Sequence, residues 1–140
     1  LPHRLEFITS INHVDFYNDS KSTNAVSTKT AVNSLLEKYS QLVLILGGIA
    51  KQENYSELIE LINEKVETVV LIGDSSKVFS EQLSVPTLKI ARSMEEAVGL
   101  SKSLIKNGAV VLSPACASFD MFDDFNDRGD QFKHHVNEGS

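Results

Sequence analysis

The sequence predicts one α/β domain spanning residues 1–140: a mostly parallel sheet of about six strands, an N-terminal hairpin among them, with helices on both faces. Three observations carry that expectation. Residues 42–46, 69–72 and 109–112 are short, unbroken apolar runs, as strands buried on both faces of a parallel sheet require. Segments with apolar residues at helical spacing stand between them. The joining loops are short, so strands and helices alternate as in βαβ units.

Leu5-Glu6-Phe7-Ile8 and Val14-Asp15-Phe16-Tyr17 read as two strands, with residues 10–13 long enough for a hairpin turn and Asn12 its best turn residue. Asn18-Asp19-Ser20-Lys21-Ser22-Thr23-Asn24 follows, a wholly polar loop with several candidate caps for a helix facing inward through Ala31, Val32, Leu35 and Leu36. Leu42-Val43-Leu44-Ile45-Leu46 is the clearest buried strand, and Gly47-Gly48 ends it with a tight turn or a close approach of backbone. Lys51 lies on the loop before a helix carrying Leu58, Leu61 and Ile62. Residues 68–72 repeat the strand pattern and Gly73 closes it. A short helix over roughly 75–82 and an edge strand over 87–90 come next. Ser93-Met94-Glu95-Glu96 is a capping box; it opens a helix with Met94, Ala97, Val98, Leu104 and Ile105 inward, for which Gly108 is the expected C-cap.

Ala109-Val110-Val111-Leu112 forms the last strand, which Pro114 ends because proline has no N–H to donate. The small residues of Ser113-Pro114-Ala115-Cys116-Ala117-Ser118 then lead into a helix whose inner face would hold Phe122, Phe125, Phe132 and Val136. A strand, a tight turn and a helix start together present free N–H groups and a positive dipole end, where a carboxylate or phosphate can bind beside the Ser118 hydroxyl. A packed corner with Ser113 or Ser118 as N-cap is the alternative. Cys116 reads as a small buried filler, not a nucleophile.

Composition narrows the function classes. A net charge of −6, with no offsetting basic stripe, argues against nucleic-acid binding. No apolar run has the length of a membrane span. One cysteine excludes an internal disulfide and fits a reducing cytosol. The chain starts at Leu1, without methionine or signal peptide, which suggests a piece of something larger. In parallel sheets ligands gather at the carboxyl ends of the strands, and three loops fall there: 18–24, 47–51 and 113–118. Neither Gly-x-Gly-x-x-Gly nor Gly-x-x-x-x-Gly-Lys-Ser/Thr is present.

Leu1-Pro2-His3-Arg4, the polar loop 18–24, Gly47-Gly48 with Lys51, and residues 112–125 with Arg128-Gly129 stand in the order and at about the spacing found in the Mur ligase family. Within that family the chain most resembles the C-terminal domain of the branch that adds D-glutamate to UDP-N-acetylmuramoyl-L-alanine. The resemblance covers essentially the whole chain. It implies a Rossmann-like domain, the last of three, with the UDP-binding and central ATPase domains lying outside this sequence. The family's reaction is ATP-dependent: the muramoyl-alanine carboxylate is phosphorylated, the D-glutamate amine attacks the acyl phosphate, and phosphate leaves through a tetrahedral intermediate.

The resemblance also implies roles for particular residues. Those matching Thr23 and Lys51 hold one carboxylate of D-glutamate; those matching Ser118 and, through its backbone, Phe125 hold the other. His3, Arg4 and Asp19 match positions that reach ATP, and Lys21 matches a lysine beside the transferred phosphoryl group, suited to stabilising developing charge. ATP and Mg2+ would be bound mainly by the absent central domain, with no metal ligand in this chain. A monomeric, cytoplasmic enzyme of cell-wall synthesis is expected, and a chain inactive by itself. One departure stands out: Ile49-Ala50 occupies the place where many relatives carry aspartate, or aspartate and glycine, before the basic residue.

Two other readings remain. The chain could belong to a sister ligase for another amino acid or to a folylpolyglutamate synthetase, against which the Ser-Pro-Ala-Cys-Ala-Ser run argues. It could instead be a stand-alone α/β binding module that catalyses nothing.

Overall fold

The computed structural model describes residues 1–138. Eleven elements follow in order: β1 (Glu6–Ile11), β2 (Val14–Asn18), α1 (Ala25–Leu36), β3 (Leu42–Gly47), α2 (Ser56–Lys65), β4 (Thr68–Ile72), α3 (Ser76–Gln82), β5 (Thr87–Ile90), α4 (Met94–Leu104), β6 (Gly108–Leu112) and α5 (Phe125–Asn137). They build one six-stranded sheet in the order β1-β2-β6-β3-β4-β5. β2, β6, β3, β4 and β5 are mutually parallel, and β1 lies antiparallel on one edge.

The hairpin closes at Asn12-His13, both in the left-handed region at φ 50° and 72°. Two such residues make the turn whose twist matches that of the strands it joins. β1 runs to Ile11, longer than its apolar start suggests, because ladder pairing with β2 carries polar Thr9 and Ser10 along. Its register slips between Phe7 and Thr9, a bulge of the kind that blunts an exposed edge.

Alternation along the inner strands divides the core. Leu42, Leu44, Leu46, Val69, Leu71 and Val111 pack on one face, under Val32 and Leu35 of α1, Leu58 and Ile62 of α2, and Phe79 of α3. Val43, Ile45, Val70, Ile72, Val110 and Leu112 point the other way, onto Met94, Ala97 and Val98 of α4 and Phe132 and Val136 of α5. Every residue of β3, β4 and β6 is buried, as unbroken apolar runs require.

Two local expectations are corrected. Gly108 does not cap α4: the helix ends at Leu104, Ile105 is already extended, and Gly108 opens β6 at φ 141°. A Cβ there would overlap the Gln41 carbonyl, so close approach of the backbone before β3, not helix termination, selects the glycine. The last helix does not start beside Ser118 and is capped by neither Ser113 nor Ser118. A single turn over 118–122 comes first, and α5 begins at Phe125 with the Asp124 carboxylate accepting from the Asp127 N–H. Phe122 packs into the core from that turn, not from the helix.

Candidate functional site

The connections leaving β2 and β3 cross one face of the sheet, whereas the connection leaving β6 crosses the other. β6 lies between them, so the carboxyl end of the sheet opens on both sides of it. Crevices of this origin are where α/β sheets take ligands.

The loops around that opening are tied by hydrogen bonds between backbones. Ala115 donates to the Ser22 carbonyl at 2.9 Å, joining the β6–α5 loop to the β2–α1 loop. Ile49 and Ala117 exchange N–H···O bonds of 2.9 and 3.1 Å, joining the β3–α2 loop to the same β6–α5 loop. Gly48, at φ 141°, allows this, since a Cβ would overlap the Ala117 carbonyl and lie 3.1 Å from the Cys116 Cβ. Ala115 pays locally by adopting φ 63°, a conformation that costs a non-glycine residue on the order of 1 kcal/mol. The braid thus brings together the neighbours of Thr23, Lys51 and Ser118.

Lys51 is exposed, and its N–H donates to the Tyr55 hydroxyl at 3.1 Å. Ser118 is buried and its carbonyl accepts from the Met121 and Phe122 N–H groups. The Phe125 carbonyl accepts from the Ser20 hydroxyl at 2.7 Å, which fixes the first turn of α5 against the β2–α1 loop. Arg4, Asp19 and Lys21 line one groove of about 320 Å³ between the N-terminal segment and α1, shared with Ser22, Val26 and Thr30. No ion pair among the described residues involves Arg4, Lys21 or Lys51.

Two predicted site residues turn inward. The Asp19 carboxylate is buried and spends both oxygens within the fold. One oxygen accepts from the Leu5 N–H at 2.9 Å, and the other from the hydroxyls of Ser22 at 2.5 Å and Ser113 at 2.7 Å. Burial raises its pKa above the ordinary value, although those hydrogen bonds and the nearby Arg4 charge oppose the rise. His3 is also buried: its Nδ1 lies 2.9 Å from the Asn18 amide nitrogen and its ring meets Phe125 edge-on. Its carbonyl accepts from the Lys21 N–H, so the segment that carries Arg4 is fastened to the polar loop.

Arg128 is what the sequence reading left unassigned. It is fully buried, donating Nε to the Ser20 hydroxyl (2.9 Å), Nη1 to the Cys116 carbonyl (3.0 Å) and Nη2 to the Ser20 carbonyl (2.7 Å). Burial lowers its pKa to about 10, so it stays charged at neutral pH. One guanidinium fork therefore pins two of the three site loops together from beneath. Cys116 sits in the same corner, its thiol pushed up to about 11 by burial, which leaves it a poor nucleophile. Asp120 ties the corner to the loop after β4: one carboxylate oxygen accepts from the Asp74 N–H at 2.9 Å, while the other is buried with no hydrogen-bond partner among the described residues.

This edge can cradle an anion. The loops there carry cations at Arg4, Lys21 and Lys51, hydroxyl residues at Thr23 and the buried Ser118, and the start of α5, where the Asp127 and Arg128 N–H groups are already taken by Asp124. The model of the family described as "Mur ligase, glutamate ligase domain" matches residues 3–116. The UDP-N-acetylmuramoylalanine–D-glutamate ligase of Cytophaga hutchinsonii is 49% identical over 138 residues, covering 96% of this chain and 30% of that protein. The ligase of the same name from Bacteroides fragilis is 41% identical, covering 97% of this chain and 31% of its own length. The chain thus spans about a third of these relatives, and both alignments are long enough to include Ser118 and Phe125, which lie beyond the family-model match.

Solved structures share the fold at low identity. They include MurF ligase from Thermotoga maritima in complex with ADP (TM-score 0.65, 18% identical, 100% of this chain and 32% of that one). Folylpolyglutamate synthase of Mycobacterium tuberculosis is another (TM-score 0.69, 14% identical, 94% of this chain and 32% of that one). A family model matching most of the chain, relatives above 40% identity along nearly all of it, and a shared α/β architecture agree: the chain belongs to the Mur ligase family, as its glutamate ligase domain.

Proposed function

We propose that this chain is the amino-acid-binding domain of a three-domain, ATP-dependent ligase that joins D-glutamate to UDP-N-acetylmuramoyl-L-alanine in peptidoglycan synthesis. The observation that carries the reading is the hydrogen-bonded braid of the β2–α1, β3–α2 and β6–α5 loops, which gathers the segments bearing Thr23, Lys51, Ser118 and Phe125 at one sheet edge. Thr23 and the Lys51 ammonium take one carboxylate of D-glutamate. The Ser118 hydroxyl and the Phe125 N–H at the start of α5 take the other. Two separated carboxylate sites read chirality, because the L-enantiomer cannot fill both and still aim its amine at the acyl carbon.

The groove holding Arg4, Asp19 and Lys21 faces the nucleotide. Its two cations have no ion pair among the described residues and suit phosphate oxygens. Asp19, which also lines it, has both oxygens engaged within the fold, in keeping with Mg2+ being bound mainly by the central ATPase domain. ATP, when bound, supplies the phosphoryl group that activates the muramoyl-alanine carboxylate. Lys21 then neutralises charge on the transferred group. Asp19 and His3 serve the site by fastening the segment that carries Arg4. The enzyme works in the cytoplasm as a monomer, and the chain alone turns over neither ATP nor D-glutamate.

An amide chemical-shift titration tests the reading. D-Glutamate, and not L-glutamate, is expected to give saturable shifts at Thr23, Lys51, Ser118 and Phe125. Equal responses to the two enantiomers would reduce the edge to a generic anion site and overturn the assignment.

A further inference from the structure

The carboxyl-terminal end of α5 carries a group of residues that the ligase reading does not use. His134 Nε2, His135 Nδ1 and the Glu138 carboxylate lie within 4.8 Å of one another. Adjacent residues on a helix point about 100° apart and do not ordinarily converge. Here they do, because the helix stops at Asn137 and Glu138 is extended (φ −69°, ψ 128°), which carries its carboxylate back to both rings. Glu138 Oε2 stands 3.5 Å from His134 Nε2, and its other oxygen, Oε1, 3.3 Å from His135 Nδ1. The rings are 5.0 Å apart, centroid to centroid, and steeply inclined to each other.

We propose that His134, His135 and Glu138 form a binding site for a divalent transition metal, with zinc as the best match. Zinc bonds to imidazole nitrogen and carboxylate oxygen at about 2.0–2.2 Å, which in a tetrahedron sets neighbouring donor atoms roughly 3.4 Å apart. The three donors start within 4.8 Å of one another, with the two rings each facing a different oxygen of the Glu138 carboxylate, so side-chain rotation must draw them in to that value. Two imidazoles and one carboxylate form a set that favours zinc, nickel or copper over magnesium or calcium. His135 is held in place, since only 18% of its side chain is exposed, while His134 and Glu138 face solvent and leave room for a water as fourth ligand.

The surroundings modulate the site. Carbonyls at a helix C-terminus favour a cation. Lys102 already exploits this, its ammonium lying 3.4, 3.0 and 3.4 Å from the carbonyls of His135, Val136 and Glu138. That ammonium addresses the backbone and leaves the side-chain donors to the metal, though its charge lowers affinity. α5 is 13 residues long, so the site lies about 20 Å from the end where Phe125 joins the ligand edge. Metal bound here neither needs nor touches the site proposed for D-glutamate.

Calorimetric titration of the chain with zinc chloride, in a non-chelating buffer at neutral pH, tests the proposal. One zinc per chain is expected, with binding weakened at least tenfold in His134→Ala and separately in His135→Ala; magnesium chloride in place of zinc should give no binding. Both variants sit on the outer end of α5, and an unchanged amide spectrum will verify their fold. The proposal is overturned if wild type takes up no zinc at millimolar concentration. It is equally overturned if the double variant His134→Ala/His135→Ala binds zinc as wild type does.

Discussion

Gly99 and Gly129 both occupy helix interiors, and replacing each by alanine separates propensity from packing. Alanine gains about 1 kcal/mol over glycine in a helix. At Gly99 of α4 an added Cβ meets nothing within 4 Å, so Gly99→Ala should realise the whole gain. At Gly129 of α5 a Cβ would overlap His3 Nδ1 and lie 2.7 Å from its Cε1 and 2.9 Å from the Asn18 amide nitrogen. Both neighbours are buried, and the His3–Asn18 contact at 2.9 Å would break. Overpacking of this kind costs about 1–3 kcal/mol, and a lost buried hydrogen bond adds about 1 kcal/mol. Subtracting the helical gain leaves Gly129→Ala destabilised by roughly 1–3 kcal/mol. The two variants should therefore lie on opposite sides of wild type, separated by roughly 2–4 kcal/mol in urea unfolding at unchanged slope. If Gly129→Ala proves as stable as Gly99→Ala, His3 is not seated against α5 and the docking of the N-terminal segment is wrong.

Other expectations follow from the same contacts. Arg128→Ala should cost about 3–5 kcal/mol, because it opens a cavity and strands the Ser20 and Cys116 carbonyls; denaturant unfolding measures the loss. Lys51→Met should leave the melting temperature unchanged, since the side chain is exposed, yet abolish the D-glutamate shifts in the titration above. Cys116 should resist iodoacetamide at pH 8 and react only on unfolding, because burial holds the thiol up at about 11. Glu6 has a lowered pKa: burial would raise it, but the His3 N–H, the Asn18 amide and Lys133 outweigh that. A lowered carboxylate stabilises the fold above its unfolded pKa and loses that contribution as pH falls. The stability gap between wild type and Glu6→Gln should therefore narrow as pH drops below about 4.5.

How far the fold could be read in the sequence followed how local its causes are. β3, β4 and β6 were legible because two-sided burial leaves almost no position for a polar residue, Thr68 at the start of β4 being the exception. The Ser93 cap was legible because the signal is four residues long, and the structure keeps it: the Ser93 hydroxyl accepts from the Glu96 N–H. The start of α5 was not, since small residues and a proline permit a turn as readily as a helix, and contacts from Ser20 and Arg128 decide between them. Inward-turned Asp19, His3 and Arg128 were equally hidden. Charged residues are expected at the surface, and only partners more than a hundred residues away in the case of Arg128 show why that expectation fails. The gathering of three loops at one edge was foreseen from strand direction alone. The bonds that braid them join backbones, to which the sequence pattern gives no clue.

The place of β6 in the sheet bears on how the molecule comes into being. It is the last of these six strands in chain order, yet it pairs with β2 on one side and β3 on the other. Until it emerges from the ribosome, the β1–β2 hairpin and the β3–β4–β5 sheet have no common border. Each exposes an open, aggregation-prone edge. Most of the chain must therefore be made before its sheet can close, and such long-range closure is slow. Refolding from denaturant should be limited by the docking of β6, and nascent chains stalled before residue 108 should be the ones that chaperones capture.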